Sequence, residues 1–493
     1  MTITSISLRD YLTVSNFTFY GASFIFACLA FNYIRAWFFL RKFQGSWLAS
    51  FSELWLAKTA LSGRFHEILL EANRIHGHLV RIGPTTLLTD DPDIIRHMNN
   101  ARSKHAKTDW YTFMRLNPYI DNIFSERDLA KHDQLRATMG PAYTTKNNAI
   151  LERKIARSIQ TFLHYIDGRI DRGNGNCTMD FSRACQFFTL DVITDMAFGE
   201  PFGYLATDQD LHGYHTTFAA EAPMISVINS MPTLCRFMNR DFVKKLWGPS
   251  TKDEKGIGKL MAMAEATVKK RIESGKNEQD MLGSFLNHGM SVAQAEAEIL
   301  TQLSAGTDSN SAALRGTLLH IFTSPPAYNK LRAEIDEAIR SEVAGLPYLD
   351  ACIREGMRIW PPFAGLNIKQ VNKDGEVIKG KFFPGGTGIA TSFWGFQRNP
   401  VFGEDVETFR PERWLKATPE ERARMEKVND LVFGYGRWLC LGRQMVVMEM
   451  KQVIVELLRH FDFSIYSPTY PWTVKSYVFM LIQDMQVTIT RRV

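Results

Sequence analysis

The sequence predicts a mainly α-helical protein with small β-sheets, an α+β fold. Helical segments dominate from Ala149 to His288 and recur in the last third of the chain. Two short apolar runs between Leu79 and Thr89 flank a Gly-Pro pair and predict a β-hairpin. Of the 493 residues, 45% are apolar and 22% are charged, which allows a large core and excludes a disordered chain. No long linker, internal repeat or low-complexity tract divides the chain, so we expect one large unit.

Net charge and cysteine spacing indicate which partner is not expected and in which compartment the protein lies. The formal net charge is +6, and the basic residues are scattered, whereas nucleic-acid binding requires a basic face. We therefore expect no nucleic-acid partner. The six cysteines have neither paired nor zinc-like spacing, which is typical of a protein in a reducing compartment.

An apolar, aromatic-rich segment from Phe17 to Ile34 precedes this unit. It is just long enough to cross a bilayer as a helix. Arg35, Arg41 and Lys42 follow it, against a single arginine before it, so the positive-inside rule places the following residues in the cytosol. The alternatives are a cleaved signal peptide, since small residues occur near its end, and a soluble core helix.

One cysteine, Cys440, ends a glycine-rich loop that starts at Phe433 and precedes an apolar helical run to Leu458. Glycines let the backbone approach a bulky planar ligand where a Cβ would clash. Amides at the helix start, together with the helix dipole, stabilise the sulfur as an anion. The pattern indicates a metal-bound thiolate; a small apolar core cysteine is the alternative.

A polar stretch, Ser304 to Ser311, interrupts a segment from Ala293 to Phe322 that is expected to be helical. Its Gly, Ser, Asn and Asp residues each disfavour a helix interior by roughly several tenths of a kcal/mol or more relative to Ala. Their hydroxyls can bond back to carbonyls one turn earlier. We predict a groove lined by hydroxyl and carboxylate groups, with Asp308 and Ser309 among them. An exposed polar helix face is the alternative.

The loop around Cys440 resembles the signature of the cytochrome P-450 haem-thiolate monooxygenases, in which Phe, Gly, Arg, Cys and Gly recur at fixed spacing. Phe433, Gly436, Cys440 and Gly442 match in register. The resemblance implies a cytochrome P-450 fold with haem b as cofactor and Cys440 as the axial iron ligand. Phe433 and Gly442 would then belong to the haem-binding loop.

The signature arginine, which binds a haem propionate in the family, is missing. Trp438 occupies its position and Arg437 stands one place earlier, so either the indole N–H or the guanidinium could replace it. His132 and Arg136 are four apart and share a helix face, as does the family pair that reaches the propionates. Lys369 lies where related fungal enzymes carry a propionate-binding arginine. The resemblance implies a cofactor-binding role for all five.

Two further motifs extend the resemblance to nearly the whole chain after residue 45. The polar stretch fits the family's distal motif, with Ser309 in place of the usual threonine, and implies that Asp308 and Ser309 are the catalytic proton relay. Glu355, Arg358 and Arg413 fit the family's structural ion-pair triad.

The resemblance implies an N-terminal membrane anchor and linker at 1–45 and a haem-thiolate catalytic domain at 46–493. The anchored protein would be single-pass in the endoplasmic reticulum membrane, with the catalytic domain facing the cytosol. Such an enzyme would oxidise a hydrophobic small molecule, as membrane-anchored filamentous-fungal enzymes of secondary metabolism do.

Electrons from NADPH would come through a separate NADPH-cytochrome reductase, with cytochrome b5 as a second donor, because the chain has no dinucleotide fingerprint. A docking face would use the basic residues Lys131, Arg437, Arg443 and Lys451. Two alternatives stay open: an electron-independent isomerase or lyase on the same haem fold, and a non-catalytic haem-binding protein.

Overall fold

A computed structural model describes residues 37–144, 148–341 and 345–492, together with short pieces between 19 and 35 (19–21, 23–24, 26–28, 30–31 and 34–35). Those pieces are helical. Within these described ranges, no helix has the length and apolar character needed to cross a membrane. The predicted anchor, Phe17 to Ile34, lies partly outside the described residues and stays a prediction.

Twenty α-helices are named here in chain order, within the described part of the chain. They are α1 (Trp47–Phe51), α2 (Leu54–Leu61), α3 (Phe65–His76), α4 (Pro92–Asn99), α5 (Leu129–Met139), α6 (Asn148–Arg172), α7 (Phe181–Phe198), α8 (Tyr204–Thr207), α9 (Tyr214–Ser230), α10 (Pro232–Met238), α11 (Asp241–Trp247), α12 (Gly256–Ser274), α13 (Met281–Asn287), α14 (Val292–Phe322), α15 (Pro325–Ser341), α16 (Pro347–Ile359), α17 (Phe393–Phe396), α18 (Glu412–Lys416), α19 (Pro419–Asn429) and α20 (Arg443–His460). Short 3-10 helices occur at Asp109–Met114, Gly140–Tyr143, Leu211–Gly213, Pro400–Phe402, Asp430–Phe433 and Gly436–Trp438.

The strands form small sheets. They are β1 (Leu79–Gly83), β2 (Thr86–Thr89), β3 (Asn176–Asp180), β4 (Lys369–Gln370), β5 (Glu376–Ile378), β6 (Lys381–Phe383), β7 (Gly388–Thr391), β8 (Phe461–Ile465), β9 (Thr473–Ser476), β10 (Met480–Gln483) and β11 (Gln486–Arg491). One sheet has the order β1-β2-β7-β4, in which only the β2–β7 pair is parallel. A second, antiparallel sheet has the order β3-β11-β8, and β5–β6 and β9–β10 are hairpins.

The mainly helical class with small sheets is confirmed, and so are the hairpin of β1 and β2 and the long helix α14. Sequence analysis missed β3, because Asn176–Asp180 follows a Gly and Asn cluster and its strand partner β11 lies some three hundred residues away. Such pairing depends on the tertiary fold and leaves little local signal.

The largest apolar core is built by α6, α7, α14 and α20, and a second core lies between α2, α3 and the four-stranded sheet. In the first, α14 packs directly against α7 at Gly306. A Cβ on Gly306 would lie 2.6 Å from Ile193 Cδ1, well inside van der Waals contact. This glycine is therefore required by helix packing, which the composition of the polar stretch did not reveal.

The carboxylate of Glu355 is the centre of a fully buried ion-pair network. Arg358 donates to both of its oxygens, over 2.9 and 3.0 Å, and Arg413 Nε donates over 2.9 Å. The Trp414 indole N–H and the Arg410 backbone N–H add two more hydrogen bonds. The predicted triad is confirmed. It ties α16 to residues 397–414, the segment that leads to the Cys440 loop.

We expect Glu355→Gln to lower the free energy of unfolding by about 3–5 kcal/mol, because it leaves the buried Arg358 guanidinium without its counter-charge and Arg413 with Asp405 alone. Denaturant unfolding of the haem-loaded protein measures the effect. Glu273→Gln is the matched control, since Glu273 pairs with Lys269 at a 67% exposed site and such surface pairs contribute about 0–1 kcal/mol. Equal losses in the two variants would contradict a structural role for the triad.

Candidate active site

The loop before α20 has a tight backbone conformation. The Cys440 N–H donates to the Phe433 carbonyl over 2.8 Å and closes the loop. Gly434 and Gly436 have φ of +78° and +57°, where only glycine is unstrained. A Cβ on Gly434 would meet the Trp438 carbonyl oxygen at 2.5 Å, and one on Gly436 the Asn99 carbonyl oxygen at 2.4 Å. Gly434 is thus explained by the loop itself and Gly436 by the close approach of the loop to the end of α4, reasons different from the approach of a planar ligand that we expected.

Two effects act on the pKa of the Cys440 thiol in opposite directions. Burial raises the pKa of the thiol, while N–H groups of Gly442 and Arg443 hydrogen-bond the sulfur and favour the thiolate. The charges of Arg136 and Arg443 act in the same direction as those N–H groups. The expected role of amides at the helix start is confirmed. A thiolate at this position has donors and cations around it, as a metal ligand requires.

A strip of α14 stays accessible although most of that helix is buried. Thr301, Ala305 and Ser309 recur every four residues, with Ala305 exposed and the other two half-buried. The Ser309 hydroxyl donates to the Ala305 carbonyl over 2.7 Å, the back-bond expected from the sequence. Tyr143 links this helix to the cysteine loop, because its hydroxyl donates to Gln302 and its pKa, raised mainly by burial, is raised further by Cys440.

Asp308 lies in a buried network between α7 and α9. Its carboxylate accepts hydrogen bonds from the Tyr214 hydroxyl, over 3.0 Å, and from the Gln186 amide, over 3.4 Å. Burial raises the pKa of Asp308 to about 6, and the hydrogen bond from Tyr214 and the charge of Arg315 limit the rise. Sequence analysis missed Tyr214 and Gln186, because nothing in their own segments marks them as partners of a residue on α14.

Two buried lysines flank the Trp438 ring. Lys107 Nζ lies 4.4 Å from the ring centroid and Lys369 Nζ lies 4.7 Å from it. Lys107 also donates to the Ile123 carbonyl over 3.0 Å, and Lys369 to the Tyr111 hydroxyl over 2.5 Å. We call Lys107, Tyr111, Lys369 and Trp438 the basic cluster.

The basic cluster contains two buried amines that no carboxylate of the described residues pairs with directly. Burial lowers the pKa of Lys369 to about 7. Burial also lowers the pKa of Lys107 well below its usual range, and the charge of Lys369 lowers it further. Among the described residues, no carboxylate lies within 4 Å of either lysine, and the buried indole N–H of Trp438 has no partner. Buried cations without counter-charges are costly, so the cluster fits an anionic ligand.

The other predicted cofactor-binding residues surround this cluster. His132 packs on Trp438 with ring centroids 4.3 Å apart, and burial followed by the charge of Lys107 lowers its pKa to about 4. Arg136 donates to the Leu439 carbonyl over 2.7 Å. The Arg437 guanidinium is engaged elsewhere, with its Nε 3.3 Å from Asp133 Oδ1 and its Nη1 bonded to the Ser103 carbonyl. Of the two candidates for the signature arginine's role, Arg437 is held by Asp133 and Ser103, whereas the Trp438 N–H is a buried donor without a partner among the described residues.

Haem b carries two propionate carboxylates, and the residues present fit it. The basic cluster offers two ammonium groups and one unpartnered N–H beside a loop whose cysteine is surrounded by donors. Sequence analysis missed Lys107. Its only local signal is its position just before an aromatic-rich segment, which predicts packing as readily as ligand binding.

A helical fold with a cysteine loop at the start of α20 and a polar stretch within α14 is that of a haem-thiolate protein. Residues 44–488 match the family model described as Cytochrome P-450, so the chain belongs to the cytochrome P-450 family. The crystal structure of the cytochrome P-450DA haem domain has the same fold, with a TM-score of 0.72 at 18% identity over 89% of this chain and 95% of that one.

Several fungal proteins are similar over nearly their whole length. Cytochrome P-450 monooxygenase ABA1 of Pyricularia oryzae is 40% identical, over 94% of this chain and 95% of its own. Cytochrome P-450 monooxygenase aba1 of Botryotinia fuckeliana is 38% identical, over 92% of each chain. Cytochrome P-450 monooxygenase pkfB of Emericella nidulans is 29% identical, over 96% of each chain. The chain is thus a cytochrome P-450 monooxygenase, an oxidoreductase whose cofactor is haem b with a cysteine thiolate bound to the iron.

We expect Trp438→Phe to weaken haem retention roughly ten-fold to a hundred-fold, because a hydrogen bond to a charged group contributes about 1.5–3 kcal/mol. Phenylalanine keeps an aromatic ring beside the lysines but removes the N–H together with part of the indole, and the control variant matches that loss of ring size. Haem transfer to an excess of an acceptor protein, followed by absorbance, measures retention. Trp394→Phe is the control, since the Trp394 N–H is also buried without a partner but lies against His66. Equal retention in the two variants would contradict the assignment.

We expect Asp308→Asn to be more stable than the unmodified protein at neutral pH and equally stable in acid. Burial raises the pKa of Asp308 from 3.8 to about 6, so the folded state loses stability as the pH rises from about 4 to 6. Asparagine does not titrate and can still accept the Tyr214 hydrogen bond. The gain at pH 7 is at most about 3 kcal/mol.

Thermal unfolding at a series of pH values measures this difference. Asp374→Asn is the control, because Asp374 is exposed, and we expect it to change the stability by less than about 0.5 kcal/mol. A gain for Asp308→Asn that is equal at pH 4 and pH 7 would show that the Asp308 carboxyl does not titrate as described.

Proposed function

We propose that this enzyme inserts oxygen from dioxygen into a hydrophobic small molecule, using NADPH-derived electrons from a separate reductase. The observation that carries the proposal is the basic cluster beside the Cys440 loop, which together fit a dianionic haem held through a thiolate. Haem bound in this way supplies the activation of dioxygen needed to oxidise a C–H bond.

We assign Cys440 as the iron ligand and the basic cluster as the propionate site. The ammonium groups of Lys107 and Lys369 would each gain a counter-charge, which removes the cost of burying them. The Trp438 N–H would donate the hydrogen bond that the family's arginine gives. Arg136 holds the Leu439 carbonyl, and so fixes the backbone one residue before the ligand.

We assign proton handling to Asp308 and Ser309. A carboxyl with a pKa near 6 can both take up and release a proton at neutral pH, which suits a relay. Tyr214 and Gln186 hold the Asp308 carboxyl between α7 and α9, and Ser309 is on the accessible strip of α14. In this proposal, Asp308 exchanges protons on the far side of the helix and the Ser309 hydroxyl presents one on the accessible side.

A hydrophobic substrate agrees with the aromatic residues between α9 and the β9–β10 hairpin. Phe479 lies in that hairpin, with its ring centroid 6.2 Å from Phe218 and 6.0 Å from Phe363. Phe363 and Phe479 are half-buried, so they keep accessible apolar surface. We keep fungal secondary metabolism as the proposed setting, because the relatives ABA1 and pkfB are cytochrome P-450 monooxygenases of fungi.

We propose NADPH-cytochrome reductase as the electron donor, with cytochrome b5 as a second donor. Three of the four basic residues predicted for the docking face are ion-paired: Arg437 with Asp133, Arg443 with Asp430 over 2.7 Å, and Lys451 with Asp350 over 2.6 Å. Lys131 is exposed at the start of α5. An acidic partner would therefore compete with these surface carboxylates, and binding should weaken with salt.

We also propose that the chain is anchored in the endoplasmic reticulum membrane as a single-pass protein, with residues 46–493 facing the cytosol. The length of the segment from Phe17 to Ile34 and the positive charges of Arg35, Arg41 and Lys42 support this orientation.

Metabolite profiling with labelled dioxygen tests the function. We expect cells that lack the gene to accumulate a lipophilic precursor with one or more oxygen atoms fewer than the product. The unmodified gene should restore a product carrying oxygen from labelled dioxygen. A Cys440→Ala copy should not restore it, because alanine cannot bind the iron. A Cys352→Ala copy is the control, since Cys352 is a buried core residue of α16.

Two results would overturn the proposal. If the accumulated compound is an isomer or hydroperoxide of the missing product, the enzyme rearranges its substrate without external electrons. If deletion changes no metabolite, the protein binds haem without this catalytic role.

A further inference from the structure

Two histidines and one glutamate meet outside the haem-binding residues. His97 lies in the last turn of α4, His105 in the loop that follows, and Glu376 at the start of β5. One potential ligand atom from each residue lies within 4.8 Å of the other two. We propose that His97, His105 and Glu376 bind a divalent transition metal of the zinc class. This site is independent of the haem and of the proposed reaction.

The carboxylate lies between the two imidazoles. His97 Nε2 is 2.7 Å from Glu376 Oε1, and His105 Nε2 is 2.7 Å from Glu376 Oε2. The ring centroids are 5.5 Å apart. Each histidine thus directs the same nitrogen towards the carboxylate, so the three side chains converge on a small volume.

The surroundings of His105 hold its ring in place for a ligand role. The Ser103 hydroxyl accepts the His105 backbone N–H over 3.0 Å and donates to the Met98 carbonyl over 3.1 Å. The same hydroxyl lies 2.7 Å from His105 Nδ1, so it also holds that side of the ring. His105 Nε2 is thereby directed at the Glu376 carboxylate, to which it is hydrogen-bonded. A metal ion would take the place of the proton between them, and its binding would release that proton.

The ligand set is one that zinc uses. Two histidines and one glutamate, with water as a fourth ligand, form tetrahedral zinc sites in proteins. Ser103 would act as the outer partner that fixes the ring of a metal-binding histidine. A tetrahedral site needs donor atoms roughly 3.3 Å apart, because zinc–nitrogen bonds are about 2.0–2.1 Å long. The present 2.7 Å separations must open slightly.

Exposure makes that opening and metal entry feasible. The His97 side chain is 41% exposed and the Glu376 side chain is 28% exposed, whereas His105 is buried. Water can therefore reach the fourth position, and the His97 ring can turn without disturbing the core. His105 supplies the fixed ligand.

A metal here would stabilise one edge of the haem-binding region. Gly436 packs against Asn99 and Ala101, which lie between His97 and His105 in the chain. Lys107 of the basic cluster follows His105 by two residues. A metal that ties this segment to the β5–β6 hairpin would thus hold Lys107 in position. It would act as a structural metal.

Zinc binding by the haem-loaded full chain tests the proposal. Equilibrium dialysis against zinc, with elemental analysis, gives the zinc bound per chain and its affinity. We expect one zinc per chain, with affinity roughly ten-fold or more weaker in His97→Ala and in Glu376→Gln. His78→Ala is the matched control, because His78 pairs with Asp90 over 2.8 Å but has no third ligand among the residues that the structure describes. Its zinc affinity should be unchanged.

A second readout separates a structural metal from adventitious binding. Added zinc should raise the thermal unfolding temperature of the unmodified chain and of His78→Ala, but not of His97→Ala. Because His97 is exposed, its variant is expected to fold, and circular dichroism checks this. If the unmodified chain binds no zinc, or if His97→Ala and Glu376→Gln bind it as tightly as the unmodified chain, the proposal is wrong.

Discussion

The buried carboxylate of Glu355 accepts five hydrogen bonds, from Arg358, Arg410, Arg413 and Trp414. Few single groups in a protein hold so many donors, and each donor comes from α16 or from the segment that leads to the Cys440 loop. That segment has little regular structure, so backbone hydrogen bonds alone cannot fix it. The arginine side chains supply the missing constraint by donating to its carbonyls. The position of the cysteine therefore depends on a charge network that contains no cofactor-binding residue.

The basic cluster differs from that network in its balance of charges. Around Glu355, charges of both signs are present and nearly balanced, and the site is structural. Around Trp438, two lysines are buried without a paired carboxylate, and the balance must come from a ligand. This difference distinguishes a structural site from a binding site more clearly than residue type does. In the proposed assignment, Lys107 and Lys369 supply the positive charge that the signature arginine gives in the family.

The polar stretch of α14 combines three separate requirements. Gly306 admits Ile193 of α7, Asp308 bonds to Tyr214 of α9, and Ser309 bonds back along its own helix on the accessible side. Adjacent residues of a helix point about 100° apart, since a turn has about 3.6 residues. We expected Asp308 and Ser309 to line one groove. In the structure, the Asp308 carboxylate instead packs among buried side chains of α7 and α9, which helical geometry allows for neighbouring positions.

The sequence determined the helical class, the long helix and its polar break, the ion-pair triad, and a cysteine loop ahead of the last helix. These features are local in the chain or repeat a motif at fixed spacing, so periodicity and residue type suffice to predict them. Only the tertiary structure decided that the indole N–H of Trp438 is free while Arg437 is engaged, and that Lys107 and Tyr214 belong to the site. Only the tertiary structure places Glu376 next to His97. Each of these contacts joins residues far apart in the chain. Their proximity is set by how the helices and sheets pack, and a short stretch of sequence does not determine that packing.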